Sequence, residues 1–277
     1  MFVYKCGSTE EEINLSSEHI KGRIKKAGFH NFEWKPEERE LTIGTEVTGF
    51  TRGSQEYDLI LDFIGSKKER AENANALFEM MERDVLNKTP GKIYLNGYYL
   101  VCYIIGAESG GRDDRTRAVQ KELKILAPQP FWTAETLYSF QNYGTSSSNN
   151  KKYPWKYPYR YANGMNNAYI INPHFSDANF LLTIYGPVTN PQVNIGGVPH
   201  LVNTILEEGE RLEIDSKSET VTKIMLNGES SNAFHNREKG KRIFSRLPPG
   251  RQEISWTGKF AFDLTIYEER SELKWIG

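Results

Sequence analysis

A chain of 277 residues has room for two domains, and its 35 basic against 36 acidic side chains leave a net charge of -1. That balance argues against nucleic-acid binding as the main task, which needs a concentrated positive surface, so no specific nucleic-acid partner is expected. No run of side chains approaches the length of a membrane-spanning helix, so no membrane partner is expected.

"FVYKC" (2–6) and "EEINL" (11–15) predict two short strands around Gly7-Ser8-Thr9. "NFEW" (31–34) and "ELTIG" (40–44) predict a second pair turning at Lys35-Pro36. In "QEYDLILDFIG" (55–65) Tyr57, Leu59, Leu61 and Phe63 alternate, the period of a strand with one buried face. The period then changes. Ser66 caps a helix over about 66–87 and Glu69 completes a capping box, while Thr89-Pro90-Gly91 stops it. Ala71, Ala74, Phe78, Met81 and Val85 draw its apolar stripe, read as packing on a sheet. Asn96-Gly97 marks a hairpin. Beyond it, "ESGGRDDRT" (108–116) is expected to be a polar, flexible loop between two strands, the second being "AVQKELKILAP" (118–128).

Composition shifts over 128–162, where Thr145 to Lys152 reads as a connector and "YPWKYPYRY" (153–161) as an extended edge strand. After Ala168 the pattern is entirely β. "FLLTIY" turns Phe180, Leu182 and Ile184 to one face, "LEI" turns Leu212 and Ile214, and "FAFDLTIYEER" turns Phe262, Leu264 and Ile266 inward. Turns recur at Asn190-Pro191, Gly196-Gly197, Glu208-Gly209, Asn227-Gly228 and Pro249-Gly250. Short alternating strands at this spacing predict an antiparallel sandwich. The fold class expected is mainly β: an N-terminal β domain with one helix (1–135), a connector (136–152) and a C-terminal sandwich (153–277).

Chemistry is hard to find along the chain. There is no glycine-rich phosphate loop, and "GAESGG" matches a nucleophile elbow only loosely. The five histidines, His19, His30, His174, His200 and His235, form no ligand pair. Asp113 and Asp114 are adjacent on one segment with no third carboxylate at ligand spacing, so no metal is expected, and no cofactor. Cys6 and Cys102 match no zinc or redox motif and read as buried reduced thiols. "MFVYKCGSTEEE" has no apolar secretory core, which points to synthesis in a reducing cytoplasm. Trp155, Trp256 and the rings of "YPWKYPYRY" leave a carbohydrate-binding sandwich as the alternative, with core or interface packing favoured for them.

An ordered series of segments in the C-terminal half is similar to the distal tail protein (Dit) family of long-tailed bacteriophages. "YPWKYPYRY" resembles the family's proline-aromatic opening strand, and "INPHFSDANFLLTIYGPVTNPQVNIGG" (171–197) its G-x-x-x-N-P segment. "LEEGERLEIDSKSETV" (206–221), "LNGESSNAF" (226–234) and "FSRLPPGRQEISWTG" (244–258) follow in the family's order, and "FAFDLTIYEER" resembles its closing strand. Arg251-Gln252 stands where the family has an asparagine after the P-G turn. The resemblance implies a non-enzymatic virion protein at the distal tail tip. It implies a hexameric ring built by the N-terminal domains, with galectin-like C-terminal sandwiches projecting outward. The implied partners are the tail tube protein, the tail-tip hub or tail-associated protein, and receptor-binding or side-fibre proteins. For contacts between subunits the candidate segments are "GTEVTGFTRGSQ" (44–55) and "ESGGRDDRT", and the candidate residues are Arg52, Arg112, Asp113, Asp114 and Arg115.

Overall fold

The computed structural model describes residues 2–113, 118–142 and 166–275, with side chains for all of these except 23–27, 110–113 and 166–167. The chain is mainly β, with one α-helix among the described residues, and divides into two compact units. One comprises residues 1–134 and 269–277, the other 135–268.

The first unit begins with β1 (Phe2–Lys5), β2 (Glu12–Asn14) and β3 (Ile20–Ile24). A hairpin of β4 (Lys35–Glu40) and β5 (Thr45–Thr51) follows, then β6 (Gln55–Phe63) and helix α1 (Lys67–Asn87). β7 (Gly91–Leu95), β8 (Tyr98–Asp113), β9 (Ala118–Ala127) and β10 (Trp132–Phe140) complete it, β10 running on into the second unit. The long strand β8 belongs to two sheets. Tyr98 to Cys102 pair antiparallel with β7, and Tyr103 onward pairs with β9. A register shift between Ile104 and Gly106, just inside the stretch paired with β9, marks an extra residue that bends and twists the strand. β7 continues the first sheet through β1 to the edge strand β2, and β9 continues the second through β6 to β3. Tyr57, Leu59, Leu61 and Phe63 are all buried, as their alternation predicts, in a core shared with Ile93, Leu100, Ile125 and Trp132.

Three expectations are corrected here. Residues 31–34 are not a strand and Lys35-Pro36 is not a turn: both open β4, which reaches Glu40 before the chain reverses. Gly44 makes that reversal by taking a positive φ (80°), with the Leu41 N–H donating to the Gly44 carbonyl. Pro36, lacking an N–H, is tolerated because it sits near the start of a two-stranded ribbon. Second, Glu108 to Asp113 are not loop. They continue β8, with Arg112 opposite Val119 and Asp113 opposite Ala118, and Gly110-Gly111 fall at a further register shift. Third, the helix is capped as expected, with both capping-box hydrogen bonds formed, but its buried side chains are Leu77, Met80, Met81 and Asp84. Phe78 (48% exposed) and Val85 (42%) lie on the solvent side. The buried face is rotated from the expected stripe, and its last position is a carboxylate, Asp84.

The second unit holds β11 (Asn166–Asn172), β12 (Asn179–Tyr185), β13 (Val188–Thr189), β14 (Gln192–Ile195), β15 (Val198–Leu201) and β16 (Ile205–Leu206). It ends with β17 (Arg211–Asp215), β18 (Thr220–Ile224), β19 (Ser230–Asn232), β20 (Gly250–Trp256) and β21 (Phe262–Arg270). One sheet runs β19-β18-β17-β12-β21, the other β11-β20-β14-β15, all antiparallel. Phe180, Leu182, Ile184, Leu212, Ile214, Phe262, Leu264 and Ile266 face Val193, Ile195, Ile254 and Trp256 across a single core, which makes the unit a sandwich. Gly196 and Gly197 both take positive φ in the β14–β15 turn.

His200 is buried in this core, and desolvation pushes its pKa down to about 4. The unfolded chain therefore binds a proton that the folded unit does not between about pH 6.5 and about 4. The second unit is expected to lose stability as pH falls through that window, and a His200→Gln variant to flatten the loss. Urea unfolding at pH 7, 5.5 and 4 checks this.

Candidate functional site

Charged clusters of the kind that bind metal are absent among the described residues. The structure instead presents a braced core and an exposed arm, both in the first unit.

Asp84 organises the start of the chain against α1. Its Oδ2 accepts the Tyr4 hydroxyl at 2.6 Å and the Gly7 N–H at 3.0 Å. Its Oδ1 accepts the Cys6 thiol at 3.0 Å and the Ser8 N–H at 2.9 Å. Burial raises the carboxyl pKa, but these four hydrogen bonds outweigh it and hold the group below its usual value. Burial and the same carboxylate push the Tyr4 hydroxyl up. Cys6 and Cys102 are both free and buried, as expected of reduced core thiols. Gly91 lies against this cluster: a Cβ there would meet the Tyr4 hydroxyl at 2.5 Å.

The β4–β5 hairpin is the arm. Every residue of β4 is exposed, as is every residue of β5 except Gly49. Ile43 at the tip is 91% exposed, and Leu41, Val47 and Phe50 are also open to solvent. Such a ribbon is marginal by itself in water, and its root is held by a cation in an aromatic cage. The Arg52 guanidinium, just after β5, lies 5.9 Å from the Phe32 ring and 6.0 Å from the Trp34 ring, both just before β4, and 5.2 Å from Phe131. It also donates to Gln55 Oε1 at 2.8 Å and to the Ser271 carbonyl at 3.3 Å. Nearby the C-terminal residues return to the first unit: Leu273 is buried in its core and Trp275 stacks on His30 with ring centres 4.0 Å apart.

A cleft of about 240 Å³ runs along the first half of α1, lined by Phe63, Ala71, Ala74 and Val119 with Lys67 and Arg70 at its rim. Glu69 is turned back onto the Ser66 N–H, and Glu72 pairs with Lys68 at 3.7 Å.

Of the residues nominated from sequence, Arg52 is thus engaged within its own chain, at the root of the arm. Arg112 and Asp113 are strand residues of β8. Asp114 and Arg115 lie outside the described residues, as do "YPWKYPYRY", Trp155 and most of the connector. Trp256 is buried in the second core and offers no ring face to a sugar. Asp84 was passed over. Its only signal was a carboxylate spaced seven residues from Leu77 and three from Met81, in line with the buried face.

No protein-family model and no curated protein sequence matches the chain. Its fold nevertheless has solved counterparts, bacteriophage tail and baseplate proteins among them. The chain is similar over its whole length to the Dit protein of phage SPP1, described as a paradigm of the hub adsorption apparatus of phages that infect Gram-positive bacteria (TM-score 0.56, 10% identity, 98% of this chain and 99% of that one). It is equally similar to chains of the phage p2 baseplate in its activated conformation, with calcium (TM-score 0.57, 10% identity, 99% and 100% covered) and with strontium (0.60, 11%, 99% and 100%).

Proposed function

We propose that this chain is a structural hub of a phage tail tip, a distal tail protein that forms a hexameric ring at the end of the tail tube. The observation that carries the reading is the whole-chain fold likeness to the SPP1 Dit protein and to p2 baseplate chains, which spans both units. The ordered C-terminal segments support it independently. In this reading the first unit, residues 1–134 with the returning tail, builds the ring. The second, 135–268, is the galectin-like sandwich that docks adhesion proteins, receptor-binding or side-fibre components among them. The ring joins the tail tube protein to the tail-tip hub protein, and no catalysis is required of it.

An exposed apolar arm suits this role, because a ring needs two different patches that meet across each boundary. Light scattering coupled to size exclusion tests the proposal. The expected species has six times the 31.8 kDa chain mass and appears as a ring in negative stain. A monomer at every concentration would sink it.

A further inference from the structure

Charge is unevenly placed along this chain. Between β19 and β20, residues 233–249 lie outside any strand, and within them "HNREKGKRIFSR" (235–246) holds five bases, Arg237, Lys239, Lys241, Arg242 and Arg246, against one acid, Glu238. The segment's net charge is +4 in a chain of -1, so the remainder carries -5. It is pinned to the second unit. Ala233, Ile243 and Leu247 are buried in the core there, and Leu247 bridges Ala178. The Asn203 N–H donates to the Asn236 carbonyl at 2.7 Å, and the Glu238 N–H to the Leu201 carbonyl at 3.1 Å. Arg237 belongs to this scaffold: its guanidinium lies 3.6 Å from the Phe234 ring centre and donates to the Phe234 carbonyl at 2.6 Å. Lys239, Lys241, Arg242 and Arg246 are different. All four are exposed, and none forms an ion pair or a side-chain hydrogen bond. In the same unit Lys223 pairs with Glu210 at 2.7 Å and Arg211 with Glu213 at 2.8 Å. The chain turns at Lys239-Gly240, and again where the Ser245 N–H donates to the Arg242 carbonyl at 2.9 Å. The ends of such a turn lie within about 7 Å, which returns the chain beside Arg242 just before Arg246.

We infer that Lys239, Lys241, Arg242 and Arg246 form a binding site for a linear polyanion that carries a phosphodiester at each repeat. Unpaired cations on a fixed scaffold bind repeated phosphates by releasing their counterions, and an arginine grips a phosphate with two N–H groups. A protein surface matches the segment less well. Interfaces between proteins are poor in lysine and have a buried apolar centre, whereas no large apolar side chain between 227 and 249 is exposed. Nucleic acid also matches less well, because unpaired bases stack on open ring faces. The Phe234 ring is covered by Arg237 and stacked on Phe244, ring centres 6.0 Å apart. The ligand class is therefore a polymer of polyol or sugar phosphates. The site lies wholly within the second unit and does not depend on the ring reading.

Fluorescence anisotropy of labelled poly(glycerol phosphate), titrated with the full chain at several salt concentrations, tests this. Four phosphate contacts, with the coefficient for single strands, predict that binding weakens about fiftyfold between about 50 and 200 mM salt. K241A/R242A leaves two contacts and is expected to weaken only about sevenfold over the same range, from a lower starting affinity. Both side chains are exposed, so the urea midpoint of that variant is expected to stay at the wild-type value. K21A/K274A removes two other exposed cations and is expected to bind as wild type does. Absence of binding at the lowest salt overturns the site, and so does an equal loss of affinity in K21A/K274A and K241A/R242A. A single-stranded oligonucleotide of matched charge that binds as tightly overturns the choice of polymer in favour of nucleic acid. Polyglutamate that binds as tightly overturns it in favour of an acidic protein.

Discussion

Replacing Asp84 with alanine is expected to destabilise the first unit by about 3–5 kcal/mol, the upper range for a single substitution. The reason is the number of donors left behind. The Tyr4 hydroxyl, the Cys6 thiol and the Gly7 and Ser8 N–H groups all converge on one carboxylate, and they are drawn from a segment 76 to 80 residues away. Removing it strands them in a core where Tyr4 and Cys6 are fully buried. Asp84→Asn keeps the shape but turns an N–H₂ group toward donors on one side, so it is expected to recover only part of the loss. The pH dependence gives a separate signature. Because the folded carboxyl is held below its ordinary value, its contribution is complete above the unfolded pKa of about 3.9 and disappears as pH falls through the lower, folded value. Wild type should therefore lose an increment of stability in acid that Asp84→Ala lacks. Urea unfolding at pH 7 and pH 3, read by hydrogen exchange so that each unit is followed separately, measures both effects. Equal acid sensitivity of the two proteins would contradict this assignment.

Trp256→Ala is expected to cost the second unit a similar amount, about 3–5 kcal/mol, by a different route. The indole is buried between Phe262 (ring centres 5.2 Å apart) and Phe140 (5.4 Å), both edge-on, and its N–H donates to the Phe260 carbonyl at 3.3 Å. Truncation opens a cavity at the centre of the sandwich and orphans that carbonyl. Trp256→Phe keeps a ring in place and is expected to restore most of the stability. Hydrogen exchange in β14 and β20, whose residues Val193 and Trp256 lie opposite each other, reports the loss, while exchange in the first unit should stay unchanged. A variant that unfolds like wild type would mean that the indole is not a core residue.

What could be read from the sequence was whatever depends on neighbours along the chain. Tyr57 to Phe63 alternate because a strand has one buried face, Ser66 and Glu69 cap because they are three residues apart, and Asn96-Gly97 turns because both residues take positive φ. The misreadings lie where a distant partner decides. Phe78 and Val85 fit the helical period as well as Leu77 and Met80 do, and it is partners distant in sequence, the core around Leu77, Met80 and Met81 and the Asp84 bonds to Tyr4 and Ser8, that meet the face turned inward. Glu108 to Asp113 look like a loop because they are polar and glycine-rich, yet β9 supplies a ladder for them. The sequence offers 44–55 as a segment for contacts between subunits but not a hairpin over 35–51, because the true turn at Leu41 to Gly44 carries no Asn, Asp or Pro to announce it. Nothing in "SELKW" (271–275) says that Leu273 completes a core begun at Phe2. The α1 cleft, assembled from β6, α1 and β9, left no local trace at all.

That late-arriving leucine bears on how the protein is made. The second unit is an insertion, bracketed by chain that belongs to the first. A growing polypeptide can close the sandwich once residue 268 has emerged, but the first unit lacks Leu273 and the carbonyl of Ser271 that braces Arg52 until the whole sandwich has been synthesised. The order of synthesis thus lets the inserted unit close before the first unit has the whole of its core and the full brace at the root of its arm.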